Sequence, residues 1–247
     1  MSPESADNRP VLELEEVDVP SPRMPQAVVV RSVNWRVMAG ERWLVSGPAR
    51  AGKSSVVGVA AGLIRPARGR HWMFGDDLAT LRESERMAHR LKVGVVFGGG
   101  GRLFPTLSVV QNLALPLMYH AASPGREEAE QVKRVLAALG LEAYADVLPG
   151  DLPRWVAQRA ALARALVLRP TVLMLDDPTL GLPEEEVTWW RALLDGGAAT
   201  GKGLESSPST WVVAATEPRP WQSWADRSAR VEGGRWAVVQ AGAGLRP

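Results

Sequence analysis

Short apolar runs alternate with amphipathic stretches along most of the chain, and the runs have the length of β-strands. Strands are predicted over residues 11–19, 28–37, 43–46, 71–74, 93–97, 172–176 and 211–215. The first alternates apolar and acidic residues, which is typical of an exposed edge strand. Helical patterns separate most of the others, and this alternation favours an α/β fold with a largely parallel sheet.

The middle of the chain has a different pattern, because residues 107–168 contain no strand signal. Three helical patterns occupy it instead, over residues 108–120, 126–139 and 155–168. An all-helical insertion within an α/β core is therefore predicted. After the last strand, a Gly/Ser-rich loop is expected over residues 195–209, and a closing hairpin over residues 229–240.

These patterns divide the chain into one domain and two tails. The predicted boundaries are a tail at residues 1–10, a core at 11–97 and 169–240, a helical subdomain at about 98–168, and a tail at 241–247. A chain of 247 residues, 46% of them hydrophobic, is long enough to bury a sizeable core of this kind.

Composition excludes several kinds of protein. Cysteine is absent, which leaves no disulfide, no thiolate zinc site and no cysteine nucleophile. Because there are three histidines, a metal site built from several histidines is not expected. The net charge is +2 with scattered arginines, which argues against nucleic acid as a partner. The longest apolar run, residues 56–64, is too short to span a membrane, and the acidic N-terminus does not resemble a signal peptide. A cytoplasmic protein is therefore expected.

The strongest chemical signal follows the strand at residues 43–46, where the chain reads GPARAGKS and fits the phosphate-binding pattern G-x-x-x-x-G-K-[ST]. Loop N–H groups and a helix N-terminus supply positive potential for a polyphosphate. Lys53 is expected to reach the outer phosphates, and the Ser54 hydroxyl suits Mg²⁺. The residues expected at the nucleotide are Gly47, Pro48, Ala49, Arg50, Ala51, Gly52, Lys53, Ser54 and Ser55.

A second motif adds a carboxylate to this loop. The buried-strand pattern at residues 172–176 ends in Asp176, which is expected to hold Mg²⁺ opposite Ser54. Asp177 is next in line to orient a water molecule, and it is the only candidate for a catalytic base. Two acids before a proline also form a common turn, so this interpretation depends on the phosphate loop.

Together with these motifs, several segments resemble the ATP-binding subunit of an ABC transporter from about residue 11 to residue 240. The matching segments are AGLIRP at residues 61–66, LFPTLSVVQNLALPL at 103–117, QRAALARA at 158–165 and LDDPTLGL at 175–182. The wording NLALPL is similar to ATPases of Mla- or Mce-type lipid transporters.

The resemblance implies an α/β P-loop NTPase fold of the ABC ATPase type. It has a RecA-like core, an N-terminal antiparallel β region and an inserted helical subdomain. It also implies ATP and Mg²⁺ as cofactors and a second ATPase subunit, identical or different, that completes the site. Membrane permease subunits are expected to dock on the segment from Leu103 to His120. The chain would then lie on the cytoplasmic, inner face of the membrane.

Several positions depart from the family pattern. In the phosphate loop, Arg50 stands where the family has a glycine, and Gly98 stands where it has the Q-loop glutamine. The signature sequence Leu-Ser-Gly-Gly-Gln is replaced by Leu152-Pro153-Arg154-Trp155-Val156. Asp177 takes the place of the catalytic glutamate, Pro183 that of the D-loop aspartate and Glu217 that of the switch histidine. Removing one preorganised donor typically lowers a rate by roughly 10² to 10³. We therefore expect a subunit that binds Mg-ATP but hydrolyses it weakly or not at all.

Three alternatives stay open at this point. The chain could be a working ATPase in which Asp177 suffices, or a soluble interaction protein that kept the fold without nucleotide turnover. A DNA-maintenance ABC ATPase is disfavoured because residues 103–117 resemble transporter sequences. Among the ten tryptophans, Trp189, Trp190, Trp221 and Trp224 lie at helical spacings and are expected to pack in the core.

Overall fold

The computed structural model of the protein describes residues 9–24, 26–99, 102–120, 125–196 and 208–239. Within these ranges the strands are β1 (Leu12–Pro20), β2 (Val28–Val37), β3 (Arg42–Ser46), β4 (Arg68–Met73), β5 (Asp76–Asp77), β6 (Val93–Val96), β7 (Val172–Asp176), β8 (Thr210–Ala215), β9 (Arg227–Glu232) and β10 (Arg235–Val239). They form one sheet in the order β5-β4-β1-β2-β10-β9-β3-β8-β7-β6.

One half of this sheet is parallel, as the alternating pattern predicts. Strands β6, β7, β8 and β3 run parallel to one another, and β9 runs parallel to β3. Every residue of β7 and β8 is buried, which explains their continuous apolar sequences, because a parallel sheet is covered on both faces.

The other half is antiparallel, in agreement with the predicted N-terminal β region. Strand β1 pairs with β2 on one side and β4 on the other, so the prediction that it is an edge strand was wrong, and β4 continues to β5 at the edge. The predicted hairpin joins β9 to β10 through Gly233 and Gly234, whose φ angles of 55° and 73° favour glycine. Strand β10 then reaches β2 at the pair Arg235–Arg31, which connects the two halves.

The helices are α1 (Lys53–Ala60), α2 (Glu83–Arg90), α3 (Val109–His120), α4 (Arg126–Ala138), α5 (Arg154–Leu166), α6 (Glu184–Leu194) and α7 (Arg219–Gln222), with 3₁₀ turns at Glu142–Tyr144 and Pro149–Asp151. The three predicted central helices correspond to α3, α4 and α5. Within the described ranges, no helix combines the length and apolar character needed to cross a bilayer.

Two hydrophobic clusters cover the two faces of the sheet. One contains α3, α4, α5 and α6 with Trp190, Trp221 and Trp224, all nearly inaccessible. The other lies around α1, between the antiparallel strands β1 and β2 and the opposite face of the parallel strands β3, β7 and β8. The prediction that these tryptophans pack in the core is confirmed, and Trp189 is partly buried against the first cluster.

Some element boundaries differ from those predicted. Strand β4 starts at Arg68 instead of residue 71 and pairs with β1. Its first three residues are exposed and polar, so they gave no apolar signal in the sequence. Helix α1 ends at Ala60, and Gly62, which follows it, adopts a φ of 70° that ends the helical path. Residues 197–207 of the expected surface loop lie outside the described residues.

Candidate nucleotide-binding site

The strand order brings the candidate residues together at one edge of the sheet. Strand β8 lies between β3 and β7, and in this register Ser46 pairs with Ala215 while Asp176 pairs with Ala214. The carboxyl ends of these parallel strands therefore meet, as in other open α/β sheets where ligands bind at that edge. The phosphate loop, Asp176, Asp177 and the residues after β8 are neighbours in space for this reason.

The phosphate loop requires glycine at two positions. A Cβ on Gly47 would lie 2.2 Å from the Val231 carbonyl oxygen, and one on Gly52 would lie 2.7 Å from the Val30 side chain at a φ of 105°. Gly52 caps α1 without a side-chain hydrogen bond, and the first turn has no acidic residue. The N–H groups of that turn thus face outward without a competing anion, which suits a phosphate.

The remaining residues of the phosphate loop differ in their exposure to solvent. Pro48, Ala49 and Arg50 are exposed, Ala51 is half-buried, and Ser55 is buried in the first turn of α1. Arg50 has a φ of 65°, the left-handed conformation that its family counterpart, glycine, adopts without strain. Its side chain is exposed, and the described residues offer it no ion pair.

Lys53 is held inside the loop. Its side chain is 3% exposed, and its Nζ donates hydrogen bonds to the carbonyl oxygens of Gly47 at 3.0 Å and Pro48 at 3.1 Å and to Thr216 Oγ1 at 2.9 Å. Nζ also lies 3.8 Å from Asp177 Oδ2. The loop therefore already contains a buried ammonium where a polyphosphate needs its countercharge.

Asp176 and Ser54 fit a magnesium ion. Asp176 is 6% exposed, and its Oδ1 has no hydrogen-bond partner among the described residues. Burial, followed by the charge of Asp177, raises the pKa of the Asp176 carboxyl, while a hydrogen bond from the Ser54 hydroxyl opposes the rise. A buried oxygen without a partner beside an exposed hydroxyl is a donor set that a hard cation prefers.

Asp177 is engaged by a residue that sequence reasoning missed. Thr216, directly after β8, donates to Asp177 Oδ1 from its backbone N at 2.5 Å and to Oδ2 from its hydroxyl at 2.9 Å. Both carboxylate oxygens thus accept hydrogen bonds from Thr216. The available signal was its place one residue beyond a predicted strand, where a side chain reaches the binding edge of a parallel sheet.

Two of the substituted positions also lie at this edge. A Cβ on Gly98 would lie 3.0 Å from the Asp176 carbonyl oxygen and 3.2 Å from that of Asp177, so this position adjoins the acidic pair but has no side chain to contribute. Glu217 is exposed and lines a cavity of about 280 Å³ together with Asp177 and residues 178–182.

The segment in the signature position opens α5 and is attached to the D-loop. Pro153 is the N-cap of α5, and the first helical residue, Arg154, donates to the Leu180 carbonyl oxygen at 2.7 Å. Its guanidinium lies 2.9 Å from where a Cβ on Gly181 would be. Arg154 therefore links the start of α5 to the D-loop, a contact that a small residue could not make.

The segment at residues 103–120 forms an exposed surface on the helical middle. Asn112 is fully buried and bonds the backbone of Phe104, Leu107 and Ser108, which fixes the loop before α3. Phe104, Met118 and Tyr119 are 51%, 56% and 77% exposed. A cavity of about 390 Å³ lies among Arg102, Phe104, Leu115, Pro116, Tyr119 and Arg164.

Comparisons with known proteins agree with this architecture. The family model described as "ABC transporter" matches residues 30–180. The lipoprotein-releasing system ATP-binding protein LolD of Psychrobacter arcticus is 31% identical over 84% of this chain and 89% of its own length. LolD of Chromohalobacter salexigens is 31% identical over 95% of this chain and 96% of its own, and the phospholipid transport ATP-binding protein MlaF of Haemophilus influenzae is 32% identical over 62% and 58%.

Solved structures show the same fold. The dimeric ATP-binding cassette MJ0796 bound to ADP and Pi superposes with a TM-score of 0.75 at 24% identity, covering 91% of this chain and 95% of that one. CbiO1 of Clostridium perfringens gives 0.74 at 23% identity, covering 93% and 88%. The predicted ABC ATPase fold is thereby confirmed, and the chain belongs to the ABC transporter family as an ATP-binding (nucleotide-binding) domain.

Proposed function

We propose that this chain binds Mg-ATP as a subunit of a membrane transporter and hydrolyses it weakly or not at all. One contrast carries the proposal. Lys53, Ser54 and Asp176 keep positions suited to a magnesium polyphosphate, whereas the neighbouring positions for hydrolysis contain Gly98, Glu217 and an Asp177 bound by Thr216. The chemistry for holding the nucleotide is present, and that for activating a water molecule is reduced.

Nucleotide binding is supported by charge and by open backbone donors. The Lys53 ammonium would exchange its carbonyl partners for phosphate oxygens, and the first turn of α1 would supply N–H groups. Mg²⁺ would be held by Asp176 and Ser54 and completed by phosphate oxygens and water, since this ion keeps several non-protein ligands. When bound, it would neutralise phosphate charge.

Weak hydrolysis is supported by the state of Asp177. A general base must lie within hydrogen-bond reach of the water it activates, and Asp177 is one methylene shorter than glutamate while both its oxygens accept from Thr216. Gly98 provides no polar side chain to orient that water or the ion. Glu217, an acid where the family has histidine, would add negative charge close to the outer phosphate.

A second ATPase subunit, identical or different, is proposed to face this one, as each phosphate loop in the family faces a partner's signature segment. A site built on this chain's loop would include Gly98, Asp177 and Glu217. A site built on a partner's loop would meet Pro153 and Arg154 instead of a serine hydroxyl and a glycine. Every composite site that contains this chain is therefore incomplete.

Permease subunits are proposed to bind at residues 103–120, which would place the chain on the cytoplasmic, inner face of the membrane. The surface combines exposed Phe104 and Tyr119 with the cations Arg102 and Arg164 around one cavity, and Met118 on the same helix as Tyr119 is also exposed. An exposed apolar patch rimmed by charge is typical of protein interaction sites. Nucleic acid is not proposed as a partner.

Nucleotide binding is tested by titrating a fluorescent ATP analogue with Mg²⁺ against wild type and Lys53→Ala. Loss of a charge-assisted hydrogen bond to phosphate is expected to weaken binding by about ten- to a hundredfold. Lys133→Ala, which removes an exposed lysine on α4 that pairs with Glu130, is the matched control and should bind like wild type. Equal, weak binding by all three proteins would favour the soluble interaction protein.

Hydrolysis is tested by steady-state phosphate release from wild type and Asp177→Asn. Turnover below about 1 s⁻¹, the lower end of ordinary enzymes, and little change on substitution are expected. Turnover at ordinary rates that Asp177→Asn abolishes would establish the alternative, a working ATPase that couples hydrolysis to transport.

A further inference from the structure

A second cavity, of about 520 Å³, lies at the C-terminal end of α1. It is lined by residues 62–71, which follow α1 and enter β4, by residues 77–79, and by Glu83, Arg86 and Arg90 of α2. None of these residues belongs to the phosphate loop or to the ends of β7 and β8. The cavity is therefore separate from the nucleotide site, and its volume lies in the range that holds small ligands.

Positive charge predominates on its walls. Five arginines line the cavity, against the two acids Asp77 and Glu83: Arg65, Arg68, Arg70, Arg86 and Arg90. Glu83 pairs with Arg86 and Arg90, and Arg70 pairs with Glu15 outside the cavity. The side chains of Arg65 and Arg68 have no ion pair or hydrogen bond within the described part of the chain. The mouth thus presents two uncommitted guanidiniums, the groups best suited to pair with an oxyanion.

Two residues that line the cavity, His71 and Arg90, each contain a buried nitrogen without a partner. His71 is 4% exposed, its ring donates one hydrogen bond to the Ala60 carbonyl, and its buried Nε2 has no partner among the described residues. The Nε of Arg90 is buried and unpartnered in the same way. A buried polar atom without a partner is costly because it forfeits its hydration. An acceptor and a donor of this kind on two residues that line the same cavity favour an occupant that can supply both partners.

The direction of the His71 ring follows from strand geometry. His71 and Met73 are alternate residues of β4, both buried, and thus point to the same face of the sheet. A Cβ on Gly62 would lie 3.2 Å from the Met73 sulfur and 3.4 Å from Arg90 Cγ. That face therefore looks toward the turn after α1 and toward α2, which are the walls of the cavity.

The protonation state of His71 restricts the ligand. Burial, despite the Ala60 hydrogen bond and the charge of Asp77, lowers the pKa of His71 from 6.5 to about 4. At neutral pH its free Nε2 is therefore an acceptor that requires a donor. A carboxylate has no proton to give at that pH, whereas a phosphomonoester, whose second pKa is about 6, retains a hydroxyl in part of its population and offers acceptor oxygens as well.

We propose that this cavity is a second binding site, for a ligand that carries a phosphomonoester group. The phosphate hydroxyl donates to His71 Nε2, one phosphate oxygen accepts from Arg90 Nε, and Arg65 and Arg68 at the mouth neutralise the remaining charge. The phosphomonoester belongs either to a soluble metabolite or to a lipid headgroup. Both sources present the same chemistry to these side chains.

The test follows the C2–H resonance of His71, one of three histidines in the chain, in ¹³C-histidine-labelled protein, with His71→Gln used for assignment. Glycerol 3-phosphate is titrated into the Lys53→Ala background, which disables the phosphate loop. A saturable shift of the His71 resonance is expected. In Arg65→Ala/Arg68→Ala the binding should weaken at least about tenfold, whereas the charge-matched control Arg23→Ala/Arg31→Ala should bind like the parent.

Two further titrants complete the experiment. Sulfate, a tetrahedral dianion that has no hydroxyl at neutral pH, should bind at least about tenfold more weakly than glycerol 3-phosphate. Dihexanoyl phosphatidic acid distinguishes the sources: tighter binding than glycerol 3-phosphate supports a lipid headgroup, and weaker binding supports a soluble ligand. The proposal is overturned if no titrant shifts the resonance, which would leave water as the occupant, if sulfate binds as tightly as the phosphate, or if the Arg65/Arg68 variant binds unchanged.

Discussion

At the level of single residues, Asp176 combines a stability penalty with a binding function. Its carboxyl is buried at the end of β7, one oxygen has no partner, and burial raises its pKa. An acid whose folded pKa exceeds its unfolded value destabilises the folded state once it is ionised. A bound Mg²⁺ would remove this penalty by supplying a charge partner, so the penalty is retained where the ion is expected.

Thr216 connects the two charged groups of the candidate site, and this leads to a prediction. Its hydroxyl accepts from Lys53 Nζ and donates to Asp177 Oδ2, each at 2.9 Å. Thr216→Val keeps the backbone hydrogen bond and the side-chain shape but removes both hydroxyl bonds, and is expected to lower the free energy of unfolding by about 1–3 kcal/mol. Urea denaturation of the nucleotide-free protein measures the loss.

A double-mutant cycle with Asp177→Asn then isolates the contact. The coupling energy between positions 177 and 216 should be about 1 kcal/mol, because residues in one hydrogen-bond network are not additive. Thr188→Val, which removes an exposed hydroxyl bond on α6, should change stability little. Additive effects of the Thr216 and Asp177 substitutions would contradict the role assigned to Thr216.

The buried His71 is expected to make the folded protein less stable in mild acid. The unfolded chain binds a proton at this residue below about pH 6.5, whereas the folded protein binds it only near pH 4. Between these values the unfolded state holds more protons, so the free energy of unfolding falls as the pH falls. The shift corresponds to about 3 kcal/mol, fully lost only below pH 4.

This loss is measured by urea denaturation at a series of pH values between 7 and 4. His71→Gln cannot titrate and should show a flatter dependence, and the difference between the two curves separates His71 from the carboxylates that titrate in the same range. His89→Gln should retain the acid loss. Parallel curves for wild type and His71→Gln would show that burial does not hold this imidazole neutral.

Among the elements, α5 and α6 are joined by one arginine, which gives a prediction about helix packing. The Arg159 guanidinium donates to both Glu186 oxygens at 3.0 and 2.7 Å and lies over the rings of Trp155 and Trp189 at 4.8 and 3.7 Å. Arg159 and Glu186 are each 12% exposed. Arg159→Lys retains the charge but loses the bidentate geometry and the stacking, and is expected to destabilise the protein by about 1–3 kcal/mol through the lost hydrogen bond and cation–π contacts.

Urea denaturation followed by tryptophan fluorescence measures this effect directly, since two of the contacts are indoles. Arg126→Lys, at the exposed start of α4, is the matched control and should leave the midpoint within experimental error. If Arg159→Lys were as stable as that control, the stacked guanidinium would not be a significant link between the helical middle and the core.

Elements with a clear hydrophobic pattern could be predicted from the sequence, and elements without one could not. The buried parallel strands are continuous apolar runs, and the central helices have clear periodicity, so both were predicted. Helix α2 (ESERMAHR) is polar on most sides and β5 has only two residues, so neither has a hydrophobic signature. Lys53, Ser54 and Asp176 follow from local motifs, whereas the role of Thr216 depends on the pairing of β8 with β3 and β7, which no local pattern encodes.

At the scale of the whole molecule, the substitutions in the signature segment affect how two copies of the chain could associate. The signature segment is altered at Pro153 and Arg154, and Arg154 is bonded to Leu180 of the D-loop in the same chain. The first residue of the helix that would face a partner's phosphate thus directs its guanidinium to this chain's own D-loop. Two copies of the chain would meet each other's nucleotide with this altered segment on both sides.

We therefore predict that Mg-ATP does not drive stable self-association of the wild-type chain, which favours a different chain over an identical one as the second ATPase subunit. Sedimentation velocity at micromolar concentration should give the mass of one chain with or without the nucleotide. Pro153→Ser/Arg154→Gly supplies a hydroxyl and an uncovered backbone at the start of α5, and should strengthen nucleotide-dependent dimerisation by at least about tenfold, the minimum expected for a new charge-assisted hydrogen bond to phosphate. Arg154→Lys keeps a long cation there and should stay monomeric; dimerisation of the wild type as tight as that of the double variant would refute the prediction, because the altered segment would then be compatible with a partner's nucleotide.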